Sequence, residues 1–207
     1  MLWIGISGFQ YPEWRGNLYP EKLPVSKMLP HYAEHFSTTE INYTFRRLPT
    51  VSILEHWVVS TPLEFKFSLK ALQEFTHFRR LRKCENLVPQ FCQVIQSLNS
   101  KLGVVLFQLP SNFRKDTSVL ADFLHLLPPG IRAAFEFRHA SWHDDDVWSL
   151  LKSKNVALCI AGENRRSSRS RKETSEVFVY FKHEEEGTGI QFARHLRSLF
   201  SECIPHP

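Results

Sequence analysis

No stretch of this chain approaches the roughly 18 consecutive apolar residues that a membrane-spanning helix needs. The opening segment Met1–Gly8 has neither the basic start nor the long apolar run of a secretory leader, and it reads as a strand. Cys84, Cys92, Cys159 and Cys203 show no C-x-x-C spacing, which argues against both a disulfide framework and a thiolate zinc site. Cys92 and Cys159 fall inside predicted core elements, where a thiol serves as a small hydrophobe. These absences give the expectation of a cytoplasmic protein without a membrane segment. No H-x-H, H-E-x-x-H, complete phosphate fingerprint or nucleophile elbow is present, so no motif assigns a reaction or a cofactor.

Glycine is scarce, at 8 copies against 17 phenylalanines, and this implies a phenylalanine-rich core. With 43% hydrophobic and 23% charged residues, collagen-like, mucin-like and wholly disordered chains are excluded. The 207 residues suit one domain spanning 1–207, large enough to bury a core without disulfide or metal staples. A net charge of +5 is mild, and fits either ordinary solubility or a taste for acidic partners.

Short apolar runs alternate with helical patterns. Strands are expected at Leu2–Ser7, Thr38–Asn42, Phe65–Lys70, Val104–Leu109, Arg132–Phe137, Val156–Ala161 and Val177–Lys182. Helices are expected near Val25–Phe36, Val51–Ser60, Glu85–Asn99, Ser118–Leu127, Asp144–Lys152 and Ile190–Phe200. Such alternation predicts an α/β fold of parallel β/α units, a TIM-barrel-like (β/α) barrel of about seven strands. A regular barrel has eight units. Either this one closes with fewer strands, or a unit is missing before Val177 and the barrel is incomplete or open near the C-terminus. Residues 162–176 carry no apolar side chain that would hold a helix on a sheet, so a polar, disordered loop is expected there.

Alternate residues of a strand share a face. The outer face of a barrel strand lies under helices and must be apolar, so the polar set should point inward. Glu40, Asn42, Lys70, Gln108, Glu136 and Arg138 all sit at the carboxyl ends of their strands, where such folds carry their sites. The alternatives are a self-satisfied ion-pair layer plugging the mouth and a ligand site. Two carboxylates with a lysine suit acid–base chemistry, with Glu40 and Glu136 as acid and base and Lys70 and Arg138 stabilising negative charge. Asn42 and Gln108 would orient a substrate. Tyr11, Trp14 and Trp142 would either wall the mouth or pack under loops. His77 and His139 follow strand ends and can face the site; His31, His35 and His125 fall on helices and read as surface or boundary residues. A metal held by Glu40, Glu136 and His139 is the weaker alternative. Two basic clusters, Arg79–Lys83 and the loop residues Arg165, Arg166, Arg169, Arg171 and Lys172, read as solvated faces or as a sequence-blind nucleic-acid contact.

Five ordered segments resemble the DUF72, or YecE-like, family. They are Gly5–Gly16 with Tyr19–Pro20, Glu40–Pro49, Lys70–Ala71 with Thr76–His77, Leu106–Pro110, and Glu136–Trp142. The resemblance covers about residues 3–160 and implies a TIM-barrel-like fold in a family with no established activity. Relative to the family's usual pattern the C-terminal part is shortened. An acidic residue appears as Gly162, paired asparagines as Lys182 and His183, and a tyrosine as Arg46. Two functional readings follow. One is a barrel enzyme or binding protein for a small polar or anionic, sugar-like molecule; the other is a non-catalytic, decayed member contacting nucleic acid through the basic clusters. An open sheet edge in a truncated barrel would also favour self-association.

Overall fold

The chain begins with strand β1 (Leu2–Ser7), which is followed by helix α1 (Met28–Ala33) and strand β2 (Thr38–Ile41). Helices α2 (Tyr43–Arg46) and α3 (Val51–Val59) lead to β3 (Lys66–Lys70). A π-helical turn, Glu74–Phe78, and helix α4 (Leu87–Ile95) precede β4 (Leu102–Leu109). Then come α5 (Thr117–His125), β5 (Ala133–Phe137), α6 (Asp145–Ser153), β6 (Ala157–Leu158), β7 (Val177–Lys182) and α7 (Thr188–Leu199). This computed structural model describes residues 1–162, 176–182 and 187–200. His183, Cys203 and the basic loop residues Arg165, Arg166, Arg169, Arg171 and Lys172 lie outside the described residues.

All seven strands are parallel, in the order β6-β5-β4-β3-β2-β1-β7. The last strand pairs with the first along its whole length, from Leu2 opposite Val177 to Ser7 opposite Lys182. Among the described residues β6 and β7 do not pair, so the sheet is an open half-barrel. The expected gap lies between these two strands. β6 is also shorter than expected, because it is an edge: beyond Leu158 one further bond, Cys159 N–H to Phe135 O, holds it, and Ile160 is exposed.

Local chemistry sets the helix bounds. The Thr50 and Asp116 side chains accept from Ile53 N–H and Val119 N–H and cap α3 and α5. Asp145 and Asp146 place negative charge in the first turn of α6. The segment expected as one helix over Val25–Phe36 is a 3-10 turn, Val25–Lys27, followed by α1. The segment after α4 tightens into a 3-10 turn, Gln96–Lys101, broken at Asn99 by a left-handed φ of 50°.

The two faces of the sheet divide as alternation dictates. Outward phenylalanines meet the helices: Phe67 stacks on Trp57 of α3 at 5.5 Å, Phe107 meets Phe123 of α5 at 5.3 Å, and Phe181 lies 6.1 Å from Phe192 of α7. The inward face is layered. At its amino end Trp3 stacks on Phe178 at 5.8 Å, and Arg132 pairs with Glu176. In the middle the Tyr180 hydroxyl lies 2.7 Å from both Ser68 Oγ and Thr38 Oγ1. Gly5, opposite Tyr180 on β1, lets β2 approach closely: a Cβ there would come 2.0 Å from Thr38 O.

A buried ammonium ties the outer layer to the sheet. Lys101, 5% exposed, donates to Val58 O at 2.6 Å, Thr61 O at 2.7 Å and Thr61 Oγ1 at 3.0 Å, using all three of its donors. Lys101→Met strands those carbonyls without a donor and should lower unfolding free energy by about 3 kcal/mol in urea titrations. Lys66→Met, which removes an exposed lysine–carbonyl contact at 2.6 Å, should cost about 1 kcal/mol or less. Equal losses for the two would contradict this account.

Candidate functional site

Curling the sheet brings the carboxyl ends of the strands together. Ser7 ends β1 and connects three residues. Its hydroxyl donates to Glu40 Oε1 at 2.6 Å, Asn42 Nδ2 donates to the Ser7 hydroxyl at 2.6 Å, and the Tyr11 hydroxyl donates to Ser7 O at 3.0 Å. On the other side, Glu136 accepts on both oxygens, from Gln108 Nε2 at 2.7 Å and from Arg138 Nε at 2.9 Å. Glu136 is 6% exposed, whereas the Arg138 side chain reaches solvent.

Lys70 stands between these halves. Its ammonium lies 4.6 Å from the centre of the Phe45 ring, a cation–π contact. Phe45, on α2, meets the His77 ring edge-on at 5.0 Å, and His77 Nδ1 lies 2.9 Å from Thr76 Oγ1. His77 is carried by the π-helical turn that follows β3, a geometry that often marks functional sites.

Burial pushes the Glu40 carboxyl above the usual glutamate range, and the Glu136 charge adds to this; the Ser7 hydroxyl, Lys70 and Lys182 pull the other way. Burial pushes the Lys70 ammonium down, helped by Arg138 and Lys182 and opposed by Glu40 and Glu136. His77 is lowered by burial and then by Lys70 and Arg138. Burial, followed by Glu13 and Glu40, raises the Tyr11 phenol. The Cys159 thiol is pushed up to about 12 by burial and by Glu136 and Glu40, so it carries no thiolate for nucleophilic attack near neutrality.

Glu40, Lys70, Glu136 and Arg138 therefore share one field, with Asn42, Gln108, Tyr11 and His77 at its margin. Trp14 and Trp142 do not wall the mouth but take the alternative left open for them, packing under loops, because each is fully buried. Trp142 stacks on Phe137 at 4.9 Å and donates its indole N–H to Phe113 O at 2.7 Å; Trp14 packs on Tyr11 and Tyr19. His139 is tied into its own turn, where Nδ1 accepts from Ser141 N–H at 3.1 Å and lies 2.8 Å from Ser141 Oγ. Glu40, Glu136 and His139 do not converge as a ligand trio among the described residues. Ser7, Phe45, Lys182 and Cys159 are members that strand-end alternation missed. Ser7 and Lys182 both carried a signal, since each is the polar last residue of its strand, in alternation with Gly5 and with Tyr180.

The Arg79–Lys83 cluster is largely paired within the fold. Arg79 bonds Glu74 at 2.6 Å and Arg82 bonds Asp116 at 2.7 Å, while the Arg80 and Arg82 guanidiniums lie over the Phe113 ring. Left-handed φ values at Arg80, Leu81 and Lys83 fold the segment back on the end of the π-helical turn. Two of the four cations of this cluster thus already have acidic partners.

The family model described as "Protein of unknown function DUF72" matches residues 3–174. The UPF0759 protein YecE of Escherichia coli K12 is 30% identical over 140 residues, covering 67% of this chain and 49% of that protein. The UPF0759 protein YunF of Bacillus subtilis 168 is 31% identical over 150 residues, covering 69% and 52% respectively. The chain thus spans about half the length of the curated relatives it matches. A crystal structure of a DUF72 family protein from Thermotoga maritima superposes with a TM-score of 0.80 at 20% identity, covering 97% of this chain and 99% of that one. A second, from Enterococcus faecalis, gives 0.73 at 16% identity, covering 97% and 98%. At these identities the structures show the shared fold. No helix among the described residues is long and apolar enough to cross a membrane.

The raised Glu40 carboxyl has a thermodynamic signature. The folded protein holds this proton more tightly than the unfolded chain does. Stability from this group is therefore present below the ordinary glutamate range and is lost as pH rises from that range through the raised value. Glu40→Gln keeps an acceptor for Ser7 Oγ and removes the titration. Urea midpoints measured against pH should fall across that window in the parent and stay flatter in the variant. Parallel curves would show that Glu40 titrates normally.

Proposed function

The chain belongs to the DUF72 family, and we propose that the mouth of its half-barrel binds a small polar anion, a carboxylate or phosphate such as a sugar acid or sugar phosphate, with Glu40 placed to exchange a proton with it. The observation that carries this reading is the state of Lys70. Its half-buried ammonium rests on an aromatic face and has no carboxylate within 4 Å among the described residues. Of the two carboxylates that act on it, Glu40 is engaged by the Ser7 hydroxyl and Glu136 by Gln108 and Arg138. Three cations, Lys70, Arg138 and Lys182, act on two carboxylates, and burial favours the neutral form of one of them, Glu40. A half-buried ammonium without a carboxylate partner is relieved by a bound anion.

The residues divide by role. Lys70 and the exposed end of Arg138 supply positive charge, with Lys182 beside them. Glu136 fixes Arg138 and Gln108, so the donors do not have to be reorganised when a ligand arrives. Glu40, raised toward the working range of a general acid, is the proton carrier. Asn42 and Tyr11 set the rim through Ser7. Nucleic-acid binding has less support, since Arg79 and Arg82 are engaged by Glu74 and Asp116.

Thermal unfolding in the presence of inorganic phosphate and of citrate tests this directly. At about 100 times the dissociation constant, binding contributes about 2.7 kcal/mol. That corresponds to a rise in Tm of roughly 5–10 °C for a chain this size. Lys70→Met should abolish the rise. Glu136→Gln should fold and show a weaker one. An equal rise in Lys70→Met, or none in the parent at saturating anion, would overturn the proposal.

A further inference from the structure

Away from the mouth, helix α1 carries His31 and is followed at once by Glu34 and His35, a His-x-x-Glu-His spacing. One turn of helix separates the two histidines, so their rings lie on the same side, with centroids 5.1 Å apart. Their Nε2 atoms are 3.4 Å apart. The Leu18 carbonyl oxygen lies 3.0 Å from His31 Nε2, and Glu34 Oε2 lies 3.2 Å from His31 Nδ1. Among the described residues these three side chains form the one group of histidine, cysteine or acidic residues whose ligand atoms all lie within 4.8 Å of one another.

The spacing has chemical meaning. Two imidazoles bound at about 2.0–2.1 Å to a tetrahedral ion place their nitrogens about 3.3–3.4 Å apart, which is the separation found here. His31 also has an acceptor beside each ring nitrogen, Glu34 at Nδ1 and Leu18 O at Nε2, while a neutral imidazole carries a single N–H. If that hydrogen is on Nδ1, facing Glu34, the Nε2 lone pair points at a carbonyl oxygen and at a second imidazole. A cation between them removes the conflict. The Glu34–His31 pair then has the arrangement of a carboxylate that orients a metal-bound histidine from the outer shell.

We propose that His31 Nε2, His35 Nε2 and the Leu18 carbonyl form a binding site for one divalent transition-metal ion of the zinc, nickel or cobalt type, oriented by Glu34. Nitrogen donors favour such ions over calcium and magnesium, which want several oxygens. Arg194 and Arg197 of α7 act electrostatically on His35 and oppose a bare cation, which further disfavours an ion held by charge alone. The site is partly open, with the His31 side chain 23% and the Glu34 side chain 67% exposed, so an ion can enter and water can complete its shell. Its consequence is mechanical. Leu18 and Tyr19 belong to the segment between β1 and α1 that also carries Tyr11, and the Tyr19 hydroxyl bonds Phe9 O. An ion here clips that segment to α1.

The test uses the full chain stripped with chelator and titrated with cobalt(II) and with nickel(II). One equivalent should bind, cobalt should give the visible bands of a nitrogen–oxygen site without thiolate charge transfer, and Tm should rise. His31→Ala and His35→Ala should each weaken binding at least about tenfold, and Glu34→Ala by roughly 10–100-fold. His125→Ala, on α5, should leave it unchanged. His35→Gln serves as a second variant should the alanine version lose its circular dichroism signal. Absence of binding, binding indifferent to His31 and His35, or a thiolate band in the cobalt spectrum would each overturn the proposal.

Discussion

The curvature of the sheet is fixed by one side chain. Tyr180 on β7 bonds Ser68 on β3, although β1 and β2 lie between those strands. Three strand spacings of about 4.8 Å would put β7 and β3 roughly 14 Å apart in a flat sheet, beyond the reach of a tyrosine. The sheet must therefore curl, and β1 and β2 approach so closely that a Cβ at Gly5 would collide with Thr38 O. Curling converts a row of strand ends into a ring. Glu40, Lys70, Glu136 and Lys182 come from four different strands and meet because the strands beneath them bend around this hydroxyl cluster.

Much of this was legible from alternation alone. The Phe135–Glu136–Phe137–Arg138 pattern assigns two faces without any knowledge of partners, and the outer phenylalanines do meet the helices as their spacing requires. The polar segment 162–176 left two alternatives, a barrel closed with fewer strands or a unit missing before Val177, and the second is the one found. Other features were not readable, each for a tertiary reason. Whether Trp142 faces the mouth or the core depends on a carbonyl 29 residues away that takes its indole N–H. The basic run Arg79–Lys83 looks free in sequence, but Arg82 finds its acid 34 residues downstream. Ser7 is a short hydroxyl at the end of an apolar strand, and nothing local marks it as the contact between Glu40 and Asn42.

The two carboxylates in the mouth illustrate how identical groups take different roles. Glu136 is enclosed by donors on both oxygens, while among the described residues Glu40 accepts from the Ser7 hydroxyl alone and is pushed up by burial. The difference comes from the neighbouring strands. β4 and β5 run in register, with Gln108 directly opposite Glu136, whereas the residue opposite Glu40 on β1 is Ser7. A single-register slip between β4 and β5 would move Gln108 off its partner and leave Glu136 short of a donor.

The pairing of β7 with β1 also sets a timetable for the chain's birth. Leu2 waits for Val177, 175 residues later. At about 5–20 residues per second of synthesis, the backbone groups on that side of β1 remain unclaimed for roughly 10–35 s after the strand is made. Through that interval Thr38 and Ser68 lack the phenol that later joins them. A nascent chain of this design presents a parallel-strand edge for longer than most small domains take to fold. Its safe maturation therefore depends on what shields β1 while translation continues.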